Sequence, residues 1–71
     1  MIYEIGMKVA KPFWREHYLE VADVGSFWFV ARVRNQNTNE CVASGIYEKS
    51  DPEYVEYVSA EDTINRIRVK K

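Results

Sequence analysis

Apolar and polar positions alternate with a period of two along most of the chain, the pattern of half-buried β-strands. In residues 2–9, Tyr3, Ile5, Met7 and Val9 fall on one face, with Glu4 and Lys8 on the other. Pro12 ends that run because it has no N–H to give to a ladder. The clearest strand is 26–34. It sets Phe27, Phe29, Ala31 and Val33 against Trp28, Val30, Arg32 and Arg34. The polar run 35–39 follows, whose asparagines tolerate left-handed backbone angles. A second strand from Glu40 to Tyr47 then makes an antiparallel hairpin. Residues 53–58 alternate again, Val55 and Tyr57 opposite Tyr54, Glu56 and Val58. Ser59, with Glu61 and Asp62 after it, has the form of a capped helix start. A short helical turn there would lead into a last strand, in which Ile67 and Val69 alternate with Arg66, Arg68 and Lys70.

Residues 12–24 have two readings. As a strand, Leu19 and Val21 share a face. As a helix, Pro12 takes the favoured first position, Phe13, Trp14, His17, Tyr18 and Val21 line up as an apolar stripe, and Gly25 ends it. The fold expected is therefore mainly β, a small five-stranded barrel with a short helical turn before the last strand. The alternative is α+β, an antiparallel sheet with a helix at about 12–22.

The run Trp28-Phe29-Val30-Ala31-Arg32-Val33 resembles the W-Y-R-A-x-V strand of Tudor-like and other SH3-like barrels. The order of strands, hairpin and short turn around it is similar as well. The resemblance covers most of the chain as a pattern and six residues as a motif. It implies an SH3-like barrel that binds protein, peptide or nucleic acid. Tudor domains that bind methylated side chains often carry Asp-Tyr-Gly after the hairpin; here Ile46-Tyr47-Glu48-Lys49 stands in that place.

Length and composition bound the function. A chain of 71 residues is read as one domain, residues 1–71, with a core too small to spare a deep pocket. A surface groove, or a site shared with a second copy, is the expected alternative. Phe, Trp and Tyr make up 14% of the residues, more rings than so small a core can enclose. The formal net charge of −1 counts against a domain built to hold nucleic acid by charge alone. The charges are nonetheless segregated: Glu48, Asp51, Glu53, Glu56, Glu61 and Asp62 crowd one segment, and Arg66, Arg68, Lys70 and Lys71 follow. Cys41 is the only cysteine, Glu4 and Lys8 interrupt the first apolar run, and no stretch has the ~20 apolar residues of a membrane span. A cytoplasmic protein is expected.

The candidate site residues are aromatic and basic. Trp28, turned away from Phe29 and flanked on its face by Arg32 and Arg34, suits stacking or an interface anchor. Trp14 and Tyr18, with Phe13, form a second aromatic group that suits docking or a homodimer seam. Arg66, Arg68 and Lys70 would join Arg32 and Arg34 in a basic patch if nucleic acid were the ligand. His17 has Glu16 and Glu20 near it, but a zinc site needs three or four ligands and a catalytic base needs an oriented nucleophile. No metal site, cofactor or catalytic residue is expected. The chain thus reads as a non-enzymatic module that engages a protein partner through exposed aromatics. The alternatives are a small nucleic-acid-binding barrel and an inhibitor of a host protein, of the kind phages and mobile elements encode.

Overall fold

The computed structural model describes residues 1–58. Five strands form one antiparallel sheet: β1 (Lys8–Ala10), β2 (His17–Val24), β3 (Trp28–Asn35), β4 (Cys41–Glu48) and β5 (Val55–Glu56). Their order across the sheet is β4-β3-β2-β1-β5, and no pairing joins β4 to β5 among the described residues. The domain is therefore mainly β, and the described residues contain no helix. The expected helical turn at 59–63 and the strand through Ile67 and Val69 lie outside the described residues.

The helix considered for 12–22 is replaced by a loop and β2. The Trp14 N–H closes a turn on the Lys11 carbonyl at 3.0 Å, and the chain is extended from His17 onward. The period-two positions decide the matter. Leu19 and Val21 pair across from Val33 and Ala31 of β3, and both are buried in the core. A helical stripe would bring Phe13, His17 and Val21 together and leave Leu19 off the buried side.

The first strand is shorter than its alternation predicts. Gly6 has φ +88° and sits in a turn closed by the Met7 N–H on the Glu4 carbonyl at 3.1 Å. Glycine takes that angle without the Cβ clash other residues meet. Tyr3, Met7 and Val9 still reach the core, but Ile5, expected beside them, is thrown to the surface at the turn. Beyond the turn, Gly6 and Met7 exchange backbone hydrogen bonds with Val21, which extends the sheet past β1.

The β3–β4 hairpin forms where the asparagines predict it. Asn39 adopts φ +61°, and its N–H donates to the Asn35 carbonyl at 2.8 Å. The Asn35 carboxamide accepts the N–H groups of Asn37 and Thr38, a local substitute for ladder bonds. One face of the sheet carries the core: Val9, Leu19, Val21, Phe29 and Ala31, joined by Tyr3 and Tyr54. Phe29 is its centre. It stacks on Tyr3 at 4.5 Å and on Tyr47 at 5.7 Å, and meets Tyr54 edge-on at 5.8 Å.

Candidate functional site

The aromatic core runs outward to the surface. Trp14 meets Tyr54 edge-on at 6.1 Å, and Tyr47 meets Tyr54 at 6.3 Å. Trp14 and Tyr47 are thus the outer members of a ring cluster whose inner members, Tyr3, Phe29 and Tyr54, are buried. Between them lies an open groove of about 590 Å³. The loop residues Phe13 to Glu16 and the first residue of β2, His17, line one side, and Val33 of β3 and Tyr47 of β4 complete it. Apolar rings form the walls, and Arg15 and Glu16 supply one charge of each sign, a mixture suited to a peptide segment with both kinds of side chain.

Lys11 ties the groove loop to the loop between β4 and β5. Its ammonium lies 3.0 Å from Asp51 Oδ2 and 3.6 Å from Glu53 Oε2. It also stands 5.3 Å from the centre of the Tyr54 ring and 6.0 Å from that of Phe13. Asp51 in turn accepts the Glu53 N–H at 3.0 Å. That backbone bond, and after it the Lys11 contact, hold the Asp51 carboxyl below the ordinary aspartate pKa. The Asp51 bond likewise raises the Lys11 ammonium above the ordinary lysine value. Burial raises the Tyr54 phenol, against the opposing pull of Lys11.

The sign of the pH effect follows. A carboxyl whose folded pKa is depressed contributes stability above its unfolded pKa, and that contribution is lost as pH falls through the folded one. Urea titrations below about pH 4 will therefore show stability falling faster in the parent chain than in Asp51→Asn. Identical slopes for the two proteins would remove the Lys11–Asp51 contact from the account of acid stability.

The outer face of the sheet holds the other expected residues, and it divides them. Tyr18, expected at a binding surface, is 2% exposed. Its ring stacks on Tyr57 at 4.6 Å with an interplanar angle of 4°, and Lys8 lies 5.5 Å from its centre. Its hydroxyl donates to Asn39 Oδ1 at 3.0 Å. No ring face of Tyr18 is left for a partner. Arg34 donates to Glu20 Oε1 through Nε at 3.2 Å and Nη2 at 3.1 Å, and to the Asn39 carbonyl through Nη1 at 2.9 Å. Arg32 Nη1 lies 3.8 Å from the same Glu20 oxygen. Both arginines therefore lean on a carboxylate of the neighbouring strand rather than on the acidic segment after β4. Arg66, Arg68 and Lys70 lie outside the described residues.

Trp28 is on this outer face and 41% exposed. Its indole covers Gly25: a Cβ built on that glycine would lie 2.3 Å from Trp28 Cε2. Gly25 and Trp28 also close the β2–β3 turn, with the Gly25 N–H donating to the Trp28 carbonyl at 2.8 Å. With Phe27, Glu48 and Lys49 it lines a second depression, of about 540 Å³. Trp14 and Trp28 thus belong to two separate surfaces.

Sequence reading missed Val33 and Tyr47 as groove residues. Alternation assigns both to the core face, and nothing local says that the core ends between them. Among the described residues, no group of His, Cys, Asp and Glu is arranged to hold a metal ion, and no helix is long and apolar enough to cross a membrane. No family model, curated protein or solved structure matches the chain.

Proposed function

We propose that this protein is a non-enzymatic interaction module of SH3-like type that grips an extended segment of a partner protein in the groove between Trp14 and Tyr47. The strand order β4-β3-β2-β1-β5, antiparallel throughout, supports the SH3-like reading. The observation that carries the function is the support beneath the groove. Its two largest rings pack edge-on against Tyr54, which is itself buried against Phe29. Rings held this way lose little freedom when a ligand arrives, so more of the contact energy appears as affinity. The matching ligand presents one bulky apolar side chain to the rings and polar neighbours to Arg15 and Glu16.

Nucleic acid is the weaker ligand on this geometry, because Glu20 already neutralises part of the Arg32 and Arg34 charge. The test is capture from lysate in the presence of nuclease, followed by affinity measurement on the captured protein. Trp14→Ala is expected to weaken binding at least tenfold, the behaviour of an interface anchor, while Trp28→Ala leaves it within about twofold. Loss of capture on nuclease treatment, or equal affinity for Trp14→Ala and the parent chain, would overturn the groove reading.

A further inference from the structure

Each wall of the groove is joined to the same ion pair by a short, stiff stretch of chain. On one side, the Trp14 N–H closes a turn on the Lys11 carbonyl at 3.0 Å, and Pro12 stands where its fixed φ suits such a turn. The indole and the Lys11 side chain are therefore carried by one turn. On the other side, Tyr47 is followed by Glu48, the last residue of β4, whose carbonyl accepts the Asp51 N–H at 3.4 Å. Asp51 Oδ1 accepts the Glu53 N–H across Pro52 at 3.0 Å, which fixes the direction of the carboxylate. Lys11 Nζ closes the circuit, 3.0 Å from Asp51 Oδ2 and 3.6 Å from Glu53 Oε2.

Little else holds the Trp14 wall. Among the described residues, no backbone hydrogen bond joins residues 12–15 to another element. The next such bond is at the far end of the loop, from the Gln36 N–H to the Glu16 carbonyl at 2.8 Å. Trp14 meets Tyr54 edge-on, and the Lys11 ammonium faces the same ring at 5.3 Å. The side chains of Lys11 and Asp51 are 22% and 27% exposed. Water and salt therefore screen this pair less than a fully exposed one, whose contribution is often nil.

We propose that Lys11 is the latch of the groove: its ammonium holds the loop from Phe13 to Glu16 against the loop after β4, and with that charge removed the Trp14 wall moves away from Tyr47 while the sheet stays folded. Lys11 is a positioning residue, since it does not itself line the groove. The core of Val9, Leu19, Val21, Phe29 and Ala31 does not include it, so the sheet survives its loss. The importance of the latch for binding rests on the groove reading above; the latch itself is measurable with no partner present. With the latch closed, a ligand between Trp14 and Tyr47 meets walls already set at their distance. With the latch open, the ligand must order the loop as it binds, which lowers its affinity.

In a Trp28→Phe background Trp14 is the only tryptophan, and acrylamide, a neutral quencher, reads how open it is. Far-ultraviolet circular dichroism and a urea transition read whether each variant is folded. Lys11→Met keeps the length of the stem and removes the charge; it will raise the quenching constant about twofold and shift the emission to the red. Lys11→Arg keeps the charge and will hold the value of the Trp28→Phe chain. Asp51→Asn will raise quenching less, since Glu53 remains, and will add nothing in the Lys11→Met background. On the captured partner, Lys11→Met will weaken binding about fivefold. Unchanged quenching in Lys11→Met, an equal rise in Lys11→Arg, or additive effects in the double variant overturns the latch, even where Trp14→Ala shows that the groove binds. Unfolding of Lys11→Met overturns it as well, because Lys11 would then be a support of the sheet. Raised quenching with partner affinity unchanged supports the latch and overturns the groove as the binding site instead.

Discussion

Phe29→Ala will leave the chain largely unfolded at 25 °C. Phe29 is fully buried on a strand with neighbours on both sides, and three tyrosine rings use it as their common contact. Removing a buried phenylalanine costs about 3–5 kcal/mol, and a core of this size supplies no more than about that. No nearby side chain can fill the space, because Tyr3, Tyr47 and Tyr54 are rigid rings fixed by their own strands and turns. Far-ultraviolet circular dichroism and a urea titration read the result. The exposed Phe13, on the groove wall, is the control: Phe13→Ala should shift stability by only about 0.5 kcal/mol. A cooperative transition retained in Phe29→Ala within a few tenths of a kcal/mol of the parent would mean that the core is centred elsewhere.

Gly25→Val will drive Trp28 off the sheet and cost about 1–3 kcal/mol, the range for forcing extra atoms into a packed site. The first added carbon already falls inside the contact distance of three indole atoms, at 2.3, 2.6 and 2.7 Å. A β-branched side chain adds two more carbons that cannot rotate clear. The backbone has little freedom to yield, since Gly25 and Trp28 are tied by the turn bond at 2.8 Å. The indole is the more mobile partner because its outer side is exposed, so it should swing into solvent. In a Trp14→Phe background, where Trp28 is the only tryptophan, its emission should shift to the red and its quenching by iodide should rise. Unchanged emission together with unchanged stability would show that the ring does not rest on Gly25 in solution.

The two surfaces differ in how much the sequence discloses of them. The face of Trp28 is legible, since a period-two strand with Phe29 and Ala31 inside puts Trp28 and Arg32 outside; Phe27, read with Phe29 on the apolar face, instead precedes β3 in the turn and is 83% exposed. The hairpin is legible for a similar reason, since Asn39 is one of few residue types at ease with φ +61°. Tyr18 is not legible. Alternation assigns it to the outer face, but its burial is made by Tyr57, Lys8 and Asn39, which lie far from it along the chain. Ile5 is lost to the pattern because one glycine two-thirds of the way along the run turns the backbone before β1 begins. The pairing of Arg34 with Glu20 is likewise invisible until the register of β2 on β3 places them on neighbouring strands.

By itself the sequence determined that β3 and β4 are strands, where their hairpin turns, and which side of β3 is apolar, while it left residues 12–22 open between helix and strand. These are local properties: dihedral preferences of asparagine and glycine, and a two-residue period that any extended chain must obey. The tertiary structure decided everything that depends on which strands become neighbours. It brought Trp14 and Tyr47 to opposite sides of one groove, covered Tyr18 while leaving Trp28 open, and put β4 at the end of the sheet formed by the described residues. Burial and pairing are set by contacts between residues distant in the chain, and a period of two assigns a residue to a face without saying what will cover that face.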